Sequence, residues 1–246
     1  MVAAASVAGL DVAIEVLSEV DSTQTRLLSQ PPGSTRPWRV CVAHHQTQGR
    51  GRLDRSWESQ PGDGLMFSVA FRPEPVALAP ISAGVAVARA VARFLPDVKL
   101  KWPNDLVTVG DGALGKLGGI VATTHPEDHT LVVLGVGINC FFSRERPTPQ
   151  AAALADYLEV VPTREELLIA ILRELGRVET TTETEILDAY RPICQTLGTN
   201  VRLTTIAGAE VTGIASAVGA QGLEITGGDG SKGVFGSGDV EHLRNS

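Results

Sequence analysis

The amino-acid sequence predicts an α+β fold in two parts, a mixed-sheet main domain over 1–197 and a small all-β barrel over 198–246. Three observations predict it. Before residue 197, β-prone runs and helical stretches are mixed without regular βαβ alternation, which argues against a doubly wound parallel sheet. After Gly198 short β-like runs follow one another, with Gly227-Gly228-Asp229-Gly230 as a turn. A chain of 246 residues also buries roughly 70% of its unfolded surface, so it needs no disulfide staple.

Val12 to Val20 alternates as a strand does. Asp21-Ser22-Thr23 follows, suited to cap a helical stretch reaching Ser29, and Pro31-Pro32-Gly33 breaks the chain. Trp38 to His45 reads as a buried strand, and Leu65 to Phe71 as another. Ala79 to Leu95 is apolar nearly all round, with Pro80 in its first turn and Pro96 as its stop, so a buried helix is expected. Val98 to Trp102 is a short strand that ends at Pro103. Leu117–Thr124 and Thr130–Asn139 form a hairpin across His125-Pro126-Glu127-Asp128. Thr163 with Glu166 fits a capping box for a helix through Leu175, and a second helix spans Glu183 to Leu197. The barrel is assigned to Val201–Thr205, Glu210–Ala217, Leu223–Thr226 and Lys232–Phe235, with no helical pattern visible before the last residues.

The bulk properties exclude several classes. Acidic residues number 28 and basic 21, a formal net charge of -7 with no basic arm or stripe, which disfavours nucleic-acid binding. Cys41, Cys140 and Cys194 are widely spaced with no Cys-x-x-Cys pair, so a reducing compartment is expected. Met1 to Leu10 lacks the basic lead-in and length of a signal peptide, and no apolar run reaches membrane-spanning length. A cytoplasmic protein is expected. His44 and His45 face opposite sides of one strand and cannot share a metal, with one expected in the core and the other exposed.

Against this acidic background one segment is locally basic: Gln46-Thr47-Gln48-Gly49-Arg50-Gly51-Arg52, then Arg55 and Trp57. Glycine allows backbone to approach a ligand, and guanidinium groups fit phosphate or carboxylate oxygens. A small anion is the expected visitor. Lys101-Trp102-Pro103-Asn104-Asp105 places cation, aromatic, amide and carboxylate at a strand end, although Pro-Asn-Asp is also ordinary turn chemistry. Gly115-Lys116-Leu117-Gly118-Gly119-Ile120 puts a lysine at a strand entrance between glycines, without the spacing of a P-loop. Gly135-Val136-Gly137-Ile138-Asn139 ends a strand with alternate glycines, suited equally to ligand contact and to packing.

Taken together and in this order, these segments, with Asp21-Ser22-Thr23-Gln24, resemble the biotin protein ligases. The resemblance spans nearly the whole chain. It implies the biotin/lipoate ligase type of catalytic domain with a C-terminal SH3-like barrel. It also implies the monofunctional form, without an N-terminal DNA-binding module.

The implied reaction activates biotin with Mg-ATP as biotinyl-5′-AMP. Biotin is then transferred to a lysine of a biotin carboxyl carrier domain of a biotin-dependent carboxylase. By the resemblance Arg52 and Lys116 are catalytic, bridging the biotin carboxylate and the α-phosphate. Ser22, Thr23, Gln46, Gly49, Arg50 and Gly118 join them as biotin-binding residues. Arg55, Trp57, Asn104 and Asn139, again with Arg52 and Lys116, are assigned to ATP, and Asp105 to magnesium. A monomer or weak homodimer is implied, and Gly49 to Gly64 is expected to become ordered on ligand binding. Leu53-Asp54 departs from the family pattern, where basic or glycine residues are common. The alternatives are a lipoate or octanoate ligase of the same superfamily and a non-catalytic binding module.

Overall fold

A computed structural model describes residues 2–7, 9–33, 38–53, 55–110, 113–178 and 181–243. Strands β1 (Val2–Val7), β2 (Leu10–Val20), β3 (Trp38–Gln46), β4 (Gly64–Phe71), β5 (Val98–Lys101), β6 (Asp105–Gly110), β7 (Ala113–His125) and β8 (Asp128–Asn139) build one sheet. Their order is β1-β2-β3-β4-β8-β7-β6-β5. β2 and β3 pair parallel, and every other neighbouring pair is antiparallel. The parallel pair needs a crossover, and helix α1 (Thr23–Leu28) supplies it. The Ser22 hydroxyl accepts from the Thr25 amide at its N-cap.

Strand β4 is buried at every position, so its residues are apolar throughout instead of alternating. One face of the sheet supports α2 (Ala79–Val91), whose sides are nearly all buried and which packs on β5, β6, β7 and β8, while α3 (Arg164–Val178) packs on α2 and β4, and α4 (Glu183–Tyr190) on α2. The helix at 79 ends at Val91, before the expected Leu95. Two turns bonded Phe94 N to Val91 O and Leu95 N to Val91 O carry the chain to Pro96. Thr163 and Glu166 form the expected capping pair, the Thr163 amide donating to Glu166 Oε2 at 2.8 Å. The last helix stops at Tyr190 and a 3-10 turn over Arg191–Ile193 leads out of it, well short of Leu197.

A second, antiparallel sheet holds β9 (Asn200–Thr204), β10 (Glu210–Gly219), β11 (Gly222–Thr226), β12 (Lys232–Phe235) and β13 (Asp239–His242) in the order β12-β11-β10-β9-β13. Its apolar residues Val201, Leu203, Ala215, Leu223, Ile225 and Val240 belong to the same hydrophobic cluster as the main core. The connecting segment is stitched on as well: Gln195 N donates to Leu100 O at 2.7 Å, and Trp102 N to Thr196 Oγ1 at 2.9 Å.

Several expectations need correction. β1, β6 and β13 are strands that the sequence reading missed. Asp105–Gly110 follows directly from the Pro-Asn-Asp turn, which is therefore the tip of a β5–β6 hairpin with Lys101 opposite Asp105. β7 starts at Ala113, so Lys116 lies inside a strand and not at its entrance. Neither His44 nor His45 is in the core. His44 is exposed and bonded to Arg164, and His45 is half-buried and paired with Glu19. Residues 244–246, where a terminal helical pattern was left open, and Asp54 of the arginine loop lie outside the described residues.

Candidate active site

The end of β3, the N-terminus of α1, the β5–β6 hairpin tip and the strands β7 and β8 converge on one cavity. Its floor is polar although it lies within the core. Ser22, Thr23, Gln24 and Ser68 are all nearly inaccessible to solvent. Thr23 donates through both its amide and its hydroxyl to Gln46 Oε1, at 2.8 and 3.0 Å, and its hydroxyl meets Ser68 Oγ at 2.8 Å. Gln24 is pinned by its own amide, which donates to the carbonyls of Val121 and Val133. Buried polar groups persist only when satisfied, so this cluster holds its donors and acceptors in fixed directions.

The cationic wall comes from two distant segments. Arg52 Nη1 donates to Asn104 Oδ1 at 3.3 Å, and Lys116 Nζ pairs with Asp105 Oδ1 at 2.7 Å. Asn104 is itself anchored on β7, since its amide donates to Ile120 O and its carbonyl accepts from Ile120 N, both at 3.0 Å. Consecutive residues of the hairpin tip therefore hold the arginine and the lysine side by side. Burial pulls the Arg52 guanidinium below its usual value, opposed by Asp105 and Asp239. It remains a cation at neutral pH because a guanidinium starts so high.

Lys116 is aimed by a bulge. Leu106 faces Gly118 across the β6–β7 pair but Val107 faces Lys116, so Leu117 is the extra residue. Leu117 turns fully into the core while Lys116 reaches the cavity. The Lys116 backbone is gripped from outside, its amide donating to Gln150 O at 2.7 Å and its carbonyl accepting from Ala152 N at 2.9 Å.

Over the wall lies the arginine loop. Gly51 N donates to Arg55 O and Trp57 N to Gly49 O, closing the loop on itself. The Trp57 ring rests on Gly119 and Gly137, with Lys116 Nζ 5.9 Å from its centroid. Its indole nitrogen is buried without a hydrogen-bond partner. With the ring there the cavity measures about 120 Å³.

Of the residues singled out from sequence, Ser22, Thr23, Gln46, Arg50, Arg52, Arg55, Trp57, Asn104, Asp105 and Lys116 line this cavity. Three do not. Gly49 lies behind the loop, where a Cβ would collide with the Trp57 carbonyl. Gly118 sits within the sheet, and a Cβ there would come 2.5 Å from Gly137 O. Asn139 stands beside the cavity and donates to the carbonyls of Lys116 and Ala152, at 3.3 and 3.0 Å. Sequence reasoning missed Ser68 and the pair Asp239-Val240 on the wall. A lone serine in an otherwise apolar strand was a usable signal for the first; nothing local marks the second.

Among the described residues, no three His, Cys, Asp or Glu side chains cluster as a metal site. One carboxylate on the wall, Asp105, still fits magnesium, which is commonly held by one or two carboxylates together with water and phosphates. Among the same residues no helix is long and apolar enough to cross a membrane.

Residues 16–139 match the model of the biotin/lipoate A/B protein ligase family. The biotin–[acetyl-CoA-carboxylase] ligase of Mycobacterium tuberculosis is 33% identical over 94% of this chain and 89% of its own. The bifunctional ligase/repressor of Salmonella typhimurium is 36% identical over 53% of this chain and 42% of its own. Among solved structures, the biotin protein ligase of Aquifex aeolicus in complex with biotin and ATP superposes with a TM-score of 0.76. It is 27% identical, covering 94% of this chain and 99% of that one.

Proposed function

Because the chain belongs to the biotin/lipoate A/B protein ligase family, as a homologue of biotin–[acetyl-CoA-carboxylase] ligase, we propose that it joins biotin to a carrier lysine through biotinyl-5′-AMP. One observation carries the reading. Arg52 and Lys116, 64 positions apart in the chain, are held side by side on Asn104 and Asp105 at the mouth of a polar-floored cavity. Two adjacent cations are what a carboxylate and a phosphate need in order to approach one another.

Biotin's ureido group would lie on the floor against Ser22, Thr23 and Gln46, with its carboxylate toward Arg52 and Lys116. In the first step a carboxylate oxygen attacks the α-phosphorus of ATP, and pyrophosphate leaves. Such chemistry depends chiefly on positioning and on neutralising charge. Arg52 and Lys116 supply that here, with Arg50 on the biotin side and Arg55 at the outer phosphates. Asp105 would hold magnesium, which screens the polyphosphate charge when bound. Trp57, seated on Gly119 and Gly137, would cover the nucleotide. Among the described residues nothing donates to Asn139 Oδ1, which leaves it for a donor such as the adenine amino group.

In the second step the lysine amine of a biotin carboxyl carrier domain attacks the acyl carbon of the mixed anhydride and releases AMP. Arg52 and Lys116 stabilise the departing phosphate. No nucleophile of this chain enters either step. In this reading 1–197 carries the chemistry, and 198–246 forms the SH3-like barrel.

Purified protein mixed with biotin, Mg-ATP and an apo carrier domain tests the proposal. The expected result is pyrophosphate release followed by one biotin on the carrier. Lipoylation alone would move the reading to the lipoate branch of the family, and binding without turnover would reduce it to a ligand-binding module.

A further inference from the structure

The arginine loop is fastened by the second sheet. Arg55 forms a two-pronged ion pair with the carboxylate of Asp239, the first residue of β13. Arg52 Nη1 adds a bond to the carbonyl of Gly238 at 3.3 Å. These contacts link residues 184 and 186 positions apart. The Gly238 carbonyl is presented by a backbone with φ +156°, where a Cβ would meet Thr204 O at 2.9 Å. That position therefore requires glycine. Asp239 and Val240 also line the cavity, so the fastening lies at the reaction site.

The loop has few other tethers. Its main-chain bonds Gly51 N to Arg55 O and Trp57 N to Gly49 O are internal and hold its shape, not its place. Beyond its base, among the described residues, Arg52 on Asn104 and the Trp57 ring against Gly119, Gly137 and Lys116 tie it to the main sheet. Both involve groups that a bound acyl-adenylate would displace or share. The Asp239 pair involves neither the cavity floor nor the catalytic lysine.

We propose that Asp239 is a positioning residue: it clasps Arg55 and thereby keeps the arginine loop shut over the acyl-adenylate between the two steps. Pyrophosphate departure removes the phosphates that would otherwise occupy Arg55, so the clasp matters most when the intermediate stands alone. An acyl phosphate must be kept from water and from stray amines until its acceptor docks. The clasp deepens the ligase reading and rests on it for its purpose, though not for its existence.

Both partners are half-exposed, with 63% and 50% of their side-chain surfaces open, so the clasp is a modest one. Exposed pairs of this type change an equilibrium by up to about fivefold. The test compares the wild-type protein with Asp239→Asn and Asp239→Glu. In ligand-free protein, tryptic cleavage at Arg50, Arg52 and Arg55 should quicken about two- to fivefold in Asp239→Asn, less so at high salt. Loss of preformed biotinyl-adenylate from the purified complex should quicken by the same factor. Asp239→Glu should restore both. Wild-type rates in Asp239→Asn overturn the clasp. So does Asp239→Glu behaving like Asp239→Asn, which would assign the effect to packing instead of charge. Failure of the wild type to release pyrophosphate would refute the ligase reading, while the tryptic comparison would still decide the clasp.

Discussion

A single methyl group on Gly137 should disable closure of the loop while leaving the fold standing. A Cβ built there lies 2.6 Å from Trp57 Cε2, 2.8 Å from Cζ2 and 2.9 Å from Nε1. Carbon atoms rest about 3.5–4.0 Å apart, so the ring must retreat by roughly 1 Å. Trp57 cannot slide along the strand, because its amide is bonded to Gly49 O at 2.8 Å. It can only tip outward. Overpacking a rigid core costs about 1–3 kcal/mol, but this ring sits on a loop and tipping gives its buried indole N–H access to water. A stability loss under about 1 kcal/mol is therefore expected for Gly137→Ala. Catalysis should suffer more, since a misplacement of about 1 Å in a positioning group can cost around 10²-fold. Gly119→Ala is the graded control, because its Cβ would meet Cζ3 at 3.3 Å and requires a shift of only a few tenths of an ångström. The assay is pyrophosphate release at limiting ATP, read beside the tryptophan emission maximum, which should move to longer wavelength in Gly137→Ala. A kcat/KM within twofold of wild type with unchanged emission would refute the reasoning, as would Gly119→Ala proving the worse of the two.

Lys116→Met should lower kcat for adenylation by about 10²–10³, as removal of one transition-state donor does. The melting temperature should barely move, because Asp105 keeps access to water; retained adenylation in single-turnover measurements would rule the role out. Arg52→Gly should let the activated acyl group reach lysines of bystander proteins, and equal bystander labelling by mutant and wild type would contradict the place given to Arg52. Acid should weaken the fold through His242, whose imidazole is held below its usual value of 6.5 by burial and then by Lys101. Its Nε2 faces Thr196 Oγ1 at 3.2 Å. With the folded value depressed, the unfolded chain binds more protons below 6.5, so stability is present above that pH and is lost as pH falls through the folded value. The melting temperature should fall over that interval and His242→Gln should flatten the slope; an unchanged slope would dismiss the histidine.

Much of this fold was legible in the sequence because its signals are local. Period-two and all-apolar runs marked β2, β3, β4 and β8, and a hydroxyl-acid spacing marked the start of α3. The misses share a different cause. Asp105–Gly110 was hidden because Asp105, which reads as the last residue of a Pro-Asn-Asp turn, is also the first to pair, opposite Lys101, so turn chemistry masked the strand behind it. β13 is only four residues, exposed at alternate positions, and is a strand by virtue of pairing with β9. Lys116 was placed at a strand entrance because a bulge cannot be read from composition. Its position depends on Leu117 being drawn into the core.

The candidate site divides along the same line. Residues whose chemistry is conspicuous within a short window, such as arginines among glycines or Lys-Trp-Pro-Asn-Asp, announced themselves, and ten of them line one cavity. Glycines are a weaker guide, because the same lack of a side chain serves ligand approach and strand packing alike. Gly137 proves to carry the indole, whereas Gly118 accommodates a neighbouring carbonyl. Asp239 was out of reach altogether. It is one of 28 acidic residues in an acidic chain, and what distinguishes it is Arg55, 184 positions away. The second sheet can bring them together only because its apolar face joins the main core, with Val240 buried immediately beside Asp239. Burial of Val240 fixes where β13 lies, and β13 alternates, so its neighbour must face outward onto the loop. The contact at the cavity mouth is thus a consequence of hydrophobic packing beneath it, and any substitution that loosens Val240 should loosen the arginine loop as well.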